Sequence, residues 1–214
     1  MTKKLYIIDT NTDMGKTYVT GLINKKLIEA NIPVAYYKAA MSGTEDAQTV
    51  QEVSLTTQST ESMCPFVYHH PVSPHLAAKL EGNPVKLQSV LEGYQILTHD
   101  YELITLEGSG GIFCPLSDEL WLIDVIKALE APCLLVADAG LGTINQVGLT
   151  VHYLNQHHIK CQGIILNRFD TESIMHQDNL KTIEKLTGLK VITTLSTNQQ
   201  DINLSVNDIK SLYI

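Results

Sequence analysis

Four positions carry side chains able to manage a phosphorylated ligand: Gly15-Lys16-Thr17, Lys38, Asp46 and Glu107. The apolar run Leu5 to Ile8 enters a polar loop, Asp9-Thr10-Asn11-Thr12-Asp13-Met14, which ends in Gly-Lys-Thr. Beyond it, Val19, Leu22, Ile23, Leu27 and Ile28 recur at helical spacing. Strand, loop and helix in that order make a phosphate clamp, in which glycine admits a phosphate to the backbone, lysine reaches the terminal phosphates and threonine can ligate Mg²⁺. The standard loop, G-x-x-x-x-G-K-[ST], has a glycine where this chain has Thr10. The flanking strand and helix, more than the tripeptide, make a nucleoside triphosphate the expected ligand.

Lys38 closes an apolar run that starts at Pro33, and Ala39-Ala40-Met41-Ser42-Gly43 follows it. Alone it would be a solvated loop residue. Beside a phosphate loop it is a candidate second cation for charge developing on a transferring phosphoryl group. Asp46 heads the helical run Ala47, Val50, Val53 and reads either as a helix cap or as a Mg²⁺ ligand. Leu103 to Leu106 leads to Glu107-Gly108-Ser109-Gly110-Gly111, read as an acid at a strand end followed by a glycine-rich turn. Phosphate-loop enzymes keep a metal-binding acid at such a strand end.

These residues need a scaffold that gathers loop ends. Strand candidates lie at 4–9, 33–38, 102–106, 133–137, 163–167 and 190–195, with helical patterns between most of them. That alternation predicts an α/β fold, a parallel sheet with helices on both faces, whose functional loops sit at the strand C-termini. The continuous apolar run Cys133 to Ala137 marks a central strand buried on both sides. No repeat, charge block or Pro/Ser-rich linker divides residues 1–214, and 46–101 reads as helices and loops inserted between two strands. One domain is expected.

The chain of 214 residues has a formal net charge of −8, which argues against a nucleic-acid partner but not against a nucleotide. Cys64, Cys114, Cys133 and Cys161 are far apart, so neither a disulfide frame nor a zinc site is expected. No stretch approaches the ~20 apolar residues of a membrane span, and Asp9 interrupts the first apolar run too early for a signal peptide. The expected location is cytoplasmic.

The ordered set Gly15-Lys16-Thr17, Lys38 with Ser42-Gly43, Ser73-Pro74-His75, Glu107-Gly108-Ser109-Gly110-Gly111 and Pro115-Leu116-Ser117-Asp118 resembles the dethiobiotin synthetases, over roughly the first four-fifths of the chain. The resemblance implies the fold of P-loop containing nucleoside triphosphate hydrolases and a homodimer with substrate near its interface. It implies a ligase of biotin biosynthesis that closes a ureido ring on 7,8-diaminopelargonate with CO₂, ATP as co-substrate and Mg²⁺. By the same resemblance Asp13, Met14, Gly15, Lys16, Thr17 and Tyr18 hold the nucleotide, and Asn167 reads the adenine edge. Thr17, Asp46 and Glu107 hold the metal, and Lys16 and Lys38 are catalytic. Lys38, Ser42, Gly108, Ser109, Gly110, Gly111, Thr143 and Asn145 bind diaminopelargonate, with the helix start near 140–145 receiving its carboxylate from the neighbouring subunit.

Several positions depart from that pattern. Asp9 stands where the family has glycine, and is expected to oppose nucleotide phosphates; Asn11 stands where it has aspartate. Ala39 replaces a proline, which is expected to loosen the loop carrying Ser42, and Ser196 to Gln200 lacks the expected Gly…Pro turn near the base. His69-His70 and His157-His158 read as surface or loop residues, His75 as part of a helix over 76–80, and Trp121 as core or dimer contact. Two other functions fit the fold. One is an ATPase switch of the chromosome-partitioning or septum-positioning kind, which would carry an additional lysine near the start of the loop; residues 9–13 contain none. The other is a non-catalytic family member.

Overall fold

A computed structural model describes residues 2–214. Six strands form one parallel sheet: β1 (Lys3–Asp9), β2 (Val34–Lys38), β5 (Leu103–Gly111), β6 (Cys133–Asp138), β7 (Cys161–Asn167) and β8 (Val191–Thr194), in the spatial order β2-β5-β1-β6-β7-β8. The period of two in β1 sorts its side chains between two layers. Leu5 and Ile7 pack with Leu22, Ile23 and Leu27 of helix α1 (Lys16–Glu29) and with Ile209 of α9 (Val206–Leu212). Tyr6 and Ile8 point the other way, towards Val125 and Ile126 of α6 (Leu122–Ala128), Val147 and Val151 of α7 (Thr143–Gln156) and Ile183 of α8 (Ile174–Thr187). Each such buried aliphatic side chain contributes roughly 1.5–3 kcal/mol of transfer free energy. β6 is buried on both faces as its unbroken apolar run requires, through Leu134 and Val136 on one side and Leu135 and Ala137 on the other.

The segment between β2 and β5 holds α2 (Glu45–Ser54), α3 (Thr60–Met63), α4 (Pro74–Glu81) and α5 (Leu87–Leu97). It also contains a two-stranded parallel sheet of β3 (Met41–Ser42) and β4 (Val67–Tyr68) that sequence reasoning did not anticipate, two residues being too short for a periodic signal. His75 lies in the first turn of α4, as expected.

Two expectations need correction. Residues 108–111 are not a turn: β5 continues through them, and Gly111 pairs with Asp9 after a register shift in β1. Of the three glycines only Gly110 adopts a left-handed conformation, φ +70°. Gly108 is closely packed, since a Cβ there would approach the Leu122 side chain to 3.1 Å. Of the two readings of Trp121, core or dimer contact, the core one fails, since the residue is 42% exposed. It precedes α6, where the Asp124 carboxylate accepts a 2.9 Å hydrogen bond from its backbone N–H. Its neighbours Leu122, Ile123, Val125 and Ile126 are buried.

Candidate nucleotide and substrate site

The sheet order places β1, β2 and β5 side by side, so Asp9 and Lys38, the last residues of β1 and β2, meet Glu107, midway along β5, beside the loop that opens α1. Lys38 and Glu107 are register partners in the β2–β5 ladder. Glu107 is fully buried, and its Oε1 accepts from three donors: Thr17 Oγ1 at 2.9 Å, Lys38 Nζ at 3.0 Å and Lys16 Nζ at 3.3 Å. Asp46, on the first turn of α2, completes the cluster. Its Oδ1 lies 3.0 Å from Thr17 Oγ1, and its Oδ2 is paired with Lys38 Nζ. The helix-cap alternative for Asp46 does not hold, because Thr44 is the N-cap residue and the Asp46 carboxylate engages Thr17 and Lys38.

Burial pulls the Lys38 ammonium towards neutrality, but the Glu107 and Asp46 carboxylates outweigh it and hold the pKa above its ordinary value. Lys38 therefore stays charged at neutral pH. Asp46 shows the reciprocal effect: burial would raise its pKa, and Lys38 lowers it.

Two features of the cluster fit a divalent cation. The Thr17 hydroxyl has one proton, so it can satisfy only one of the two carboxylate oxygens that lie near 3 Å from it. Glu107 Oε2 is buried with no hydrogen-bond partner. One hydroxyl and two carboxylates form an all-oxygen set suited to Mg²⁺. Among the described residues no group of three or more His, Cys, Asp or Glu side chains could hold a metal by itself. Such a set fits an ion that shares its shell with phosphate oxygens rather than one caged by protein.

Asp9 lies inside this cluster and not on its loop surface. It is 2% exposed, its Oδ2 stands 3.5 Å from Lys16 Nζ, and its Oδ1 has no partner. Burial dominates its titration and raises the pKa to about 7, against the opposing pull of Lys16. The sequence offered no sign of this burial, because the residue stands at the junction of strand and loop.

The loop is held by partners from β7. Gly15 has φ +86°, and a Cβ there would come within 2.1 Å of Asn167 Nδ2. Asn167 Nδ2 donates to the Met14 carbonyl at 3.0 Å, and Tyr18 donates its hydroxyl to the Gln199 carbonyl at 2.9 Å. The structure thus brings Asp13, Met14, Gly15, Lys16, Thr17, Tyr18 and Asn167 together, with Asn167 bracing the loop through one end of its amide. Segment 196–200 lacks the expected Gly and Pro but still forms a turn, in which the Gln199 N–H donates to the Ser196 carbonyl at 3.2 Å; it is fastened to α1 by Tyr18 and by Lys25, whose Nζ donates to the Gln200 carbonyl at 3.1 Å.

The residues expected around diaminopelargonate divide into two groups. Ser109 is buried and donates to the Ala40 carbonyl at 2.7 Å, while Ser42 donates to the Val72 carbonyl at 2.7 Å. Ala39 and Ala40 are buried, so the segment expected to be loosened by Ala39 is anchored by packing and by Ser109. Gly108 faces Leu122 in the packed interior. Gly110 and Gly111 instead face the loop, where a Cβ on Gly111 would lie 3.2 Å from the Thr10 carbonyl. They border a cavity of about 440 Å³ shared with Thr12, Phe113, Gln146 and Leu149. Gln146 and Thr10 touch across it, Oε1 to Oγ1 at 3.3 Å. At the head of α7, Asn145 is exposed and Thr143 is buried with its hydroxyl unpartnered. Gly142, φ +93°, precedes the helix without a side-chain cap; the Thr143 N–H donates to the Gly140 carbonyl at 3.3 Å, and the N–H groups of Ile144 and Asn145 are left available to an anion.

A family model described as "AAA domain" matches residues 3–203. The ATP-dependent dethiobiotin synthetase of Brachyspira hyodysenteriae is 42% identical over 201 residues, covering 90% of this chain and 91% of that protein. The chain belongs to the dethiobiotin synthetase family. The Clostridium botulinum (strain Alaska E43) dethiobiotin synthetase is 39% identical, with 100% of this chain and 99% of that protein aligned. Similarity to the dethiobiotin synthetases therefore extends past the first four-fifths of the chain into the C-terminal region. Among solved structures, a ParA family ATPase from Chlorobium tepidum superposes with a TM-score of 0.60 at 14% identity, covering 99% of this chain and 90% of that one. The MinC:MinD complex of Aquifex aeolicus gives 0.61 at 13%, covering 97% and 92%. These two share the fold, a P-loop α/β sheet.

Proposed function

We propose that this chain is an ATP-dependent dethiobiotin synthetase, reading residues 1–214 as one P-loop domain that works in the cytoplasm as a homodimer. The observation that carries the activity is the convergence of Lys16, Lys38 and Thr17 on one buried carboxylate oxygen of Glu107. One amine of 7,8-diaminopelargonate adds to CO₂ and loses a proton, giving a carbamate. A carbamate oxygen attacks the γ-phosphorus of ATP and ADP departs. The second amine then attacks the carbamoyl carbon, loses its proton and expels inorganic phosphate, closing the ureido ring.

No side chain becomes a nucleophile in this sequence, so the protein's work is alignment and charge neutralisation. Lys38, kept protonated by its carboxylate partners, meets charge on the carbamate and transferred phosphoryl oxygens. Lys16 exchanges Asp9 and Glu107 for nucleotide phosphates. Thr17, Asp46 and Glu107 would hold Mg²⁺, which when bound neutralises phosphate charge. Ser42 and the loop-facing Gly110 and Gly111 would border the diamine, while Ser109 and Gly108 keep the wall in place.

The head of α7 suits the substrate carboxylate by the uncapped N–H groups of Ile144 and Asn145 and by the unpartnered Thr143 hydroxyl. A homodimer is supported by apolar side chains left bare near this helix head: Leu141 is 94% exposed, Phe113 64% and Leu149 61%. No helix among the described residues is long and apolar enough to cross a membrane.

The test is to incubate the protein with 7,8-diaminopelargonate, labelled bicarbonate, Mg²⁺ and ATP. Acid-stable label should appear in dethiobiotin, with one ADP and one phosphate per product. No incorporation at high nucleotide concentration would sink the proposal.

A further inference from the structure

Next to Asn167, Arg168 bridges two parts of the site. Its Nη2 donates to the Asp13 carbonyl at 2.6 Å, and its Nε donates to Asp138 Oδ2 at 2.5 Å. Asp138 ends β6, and its other oxygen accepts from the Gly140 N–H at 2.7 Å, in the turn that leads to α7. A half-exposed Arg–Asp pair by itself contributes little. Here the same guanidinium also reaches the phosphate loop, and the preceding residue, Asn167, holds the next carbonyl along, that of Met14.

We propose that Arg168 is a positioning residue for the phosphate loop, which together with Asn167 aims two consecutive backbone N–H groups at the nucleotide phosphates. In a trans peptide the C=O of one residue and the N–H of the next point in opposite directions. Fixing the Asp13 carbonyl outward therefore turns the Met14 N–H inward. Fixing the Met14 carbonyl does the same for the Gly15 N–H. Asp13 has a left-handed φ of +64°, a conformation that aspartate tolerates better than most residues with a Cβ, and its carbonyl is held there by the Arg168 guanidinium. Arg168 is itself left-handed, φ +54°, which fits a residue held in place by its contacts. Asp138 steers the guanidinium and links the loop to the turn that opens α7.

The role rests on the nucleotide reading above, and its test is direct binding of MgADP by calorimetry, independent of turnover. Arg168→Ala should weaken MgADP by about tenfold, the scale of one lost charge-assisted hydrogen bond. Arg168→Lys should not restore it, because a single ammonium cannot span the Asp13 carbonyl and the Asp138 carboxylate as a planar fork does. Asp138→Asn, which leaves the Asp13 contact in place, should lose only a few-fold, and it carries the test if Arg168→Ala fails to fold. In turnover assays the Arg168→Ala loss should fall on KM for ATP and spare kcat. Unchanged MgADP affinity in Arg168→Ala, or full rescue by lysine, would overturn the role. A wild-type chain that binds MgADP but makes no dethiobiotin would defeat the proposed reaction and leave this comparison standing.

Discussion

At the C-terminal ends of β1 and β2, and midway along β5, the sheet presents buried ionisable groups, with Asp9, Lys38 and Glu107 joined by Lys16 and Asp46 into one network. At the ends of β6 and β7, on the other side of β1, it presents Asp138, Asn167 and Arg168: Asn167 and Arg168 reach the phosphate loop through backbone carbonyls, and Arg168 and its partner Asp138 are partly exposed. The first half holds its charges out of water, where they act strongly on whatever enters. The second half grips the loop's backbone and puts no charge on the reacting atoms. Changes on the β2–β5 side should therefore alter stability and the chemical step, and changes on the β6–β7 side should alter nucleotide binding.

The largest expected effect is from Glu107→Ala, which strips a buried acceptor from two lysines at once. It should cost roughly 3–5 kcal/mol in urea unfolding, as breaking buried ion pairs does, and abolish turnover. A well-folded, active Glu107→Ala protein would erase the distinction between the two halves.

Asp9 sharpens the comparison through pH. Its folded pKa, about 7, lies above the ordinary 3.8. Between those values the folded protein keeps a proton that the unfolded chain has released, so stability falls as pH rises from about 4 to about 7 and is level above. The slope amounts to about 4 kcal/mol at most. Asp9→Asn should remove it, as read from denaturation midpoints across that range. ATP binding should favour protonated Asp9, since the carboxylate competes for Lys16 and repels phosphate. Wild-type KM for ATP should therefore rise as pH passes through 7, and that of Asp9→Asn should stay flat. A pH-independent wild-type KM would remove Asp9 from nucleotide control.

Smaller effects are expected from the supports. Gly15→Ala places a Cβ at φ +86° and against Asn167, with a strain cost of about 1–3 kcal/mol, and should weaken MgADP binding more than it lowers the melting temperature. Ser109→Ala leaves the Ala40 carbonyl unpaired and should cost about 1 kcal/mol, with a modest loss in kcat as the segment after Lys38 relaxes.

The strands and their parallel order of use were legible because each apolar run ended in polar residues, and Gly15-Lys16-Thr17, Lys38, Asp46 and Glu107 announced themselves by type. Their convergence was not legible from spacing, since β2 and β5 are separated by a long insertion and meet only through sheet order. The burial of Asp9, and Arg168 as part of the site at all, were missed for another reason. Burial of a strand-end carboxylate and capture of a loop carbonyl by a distant guanidinium leave no periodic or compositional trace. Residues 108–111 read as a turn because glycine-rich runs favour turns, whereas β5 continues through them, with Gly108 against Leu122 and Ser109 bonded to the Ala40 carbonyl.

The division of labour is tested most directly by Lys38→Ala, measured for MgADP affinity and for turnover in the same preparation. Lys38→Ala should keep near wild-type MgADP binding, with dethiobiotin formation slowed by about 10²–10³-fold, the scale of one removed charge-stabilising donor. Turnover at the wild-type rate, or a loss of turnover fully explained by lost MgADP binding, would contradict that division of labour.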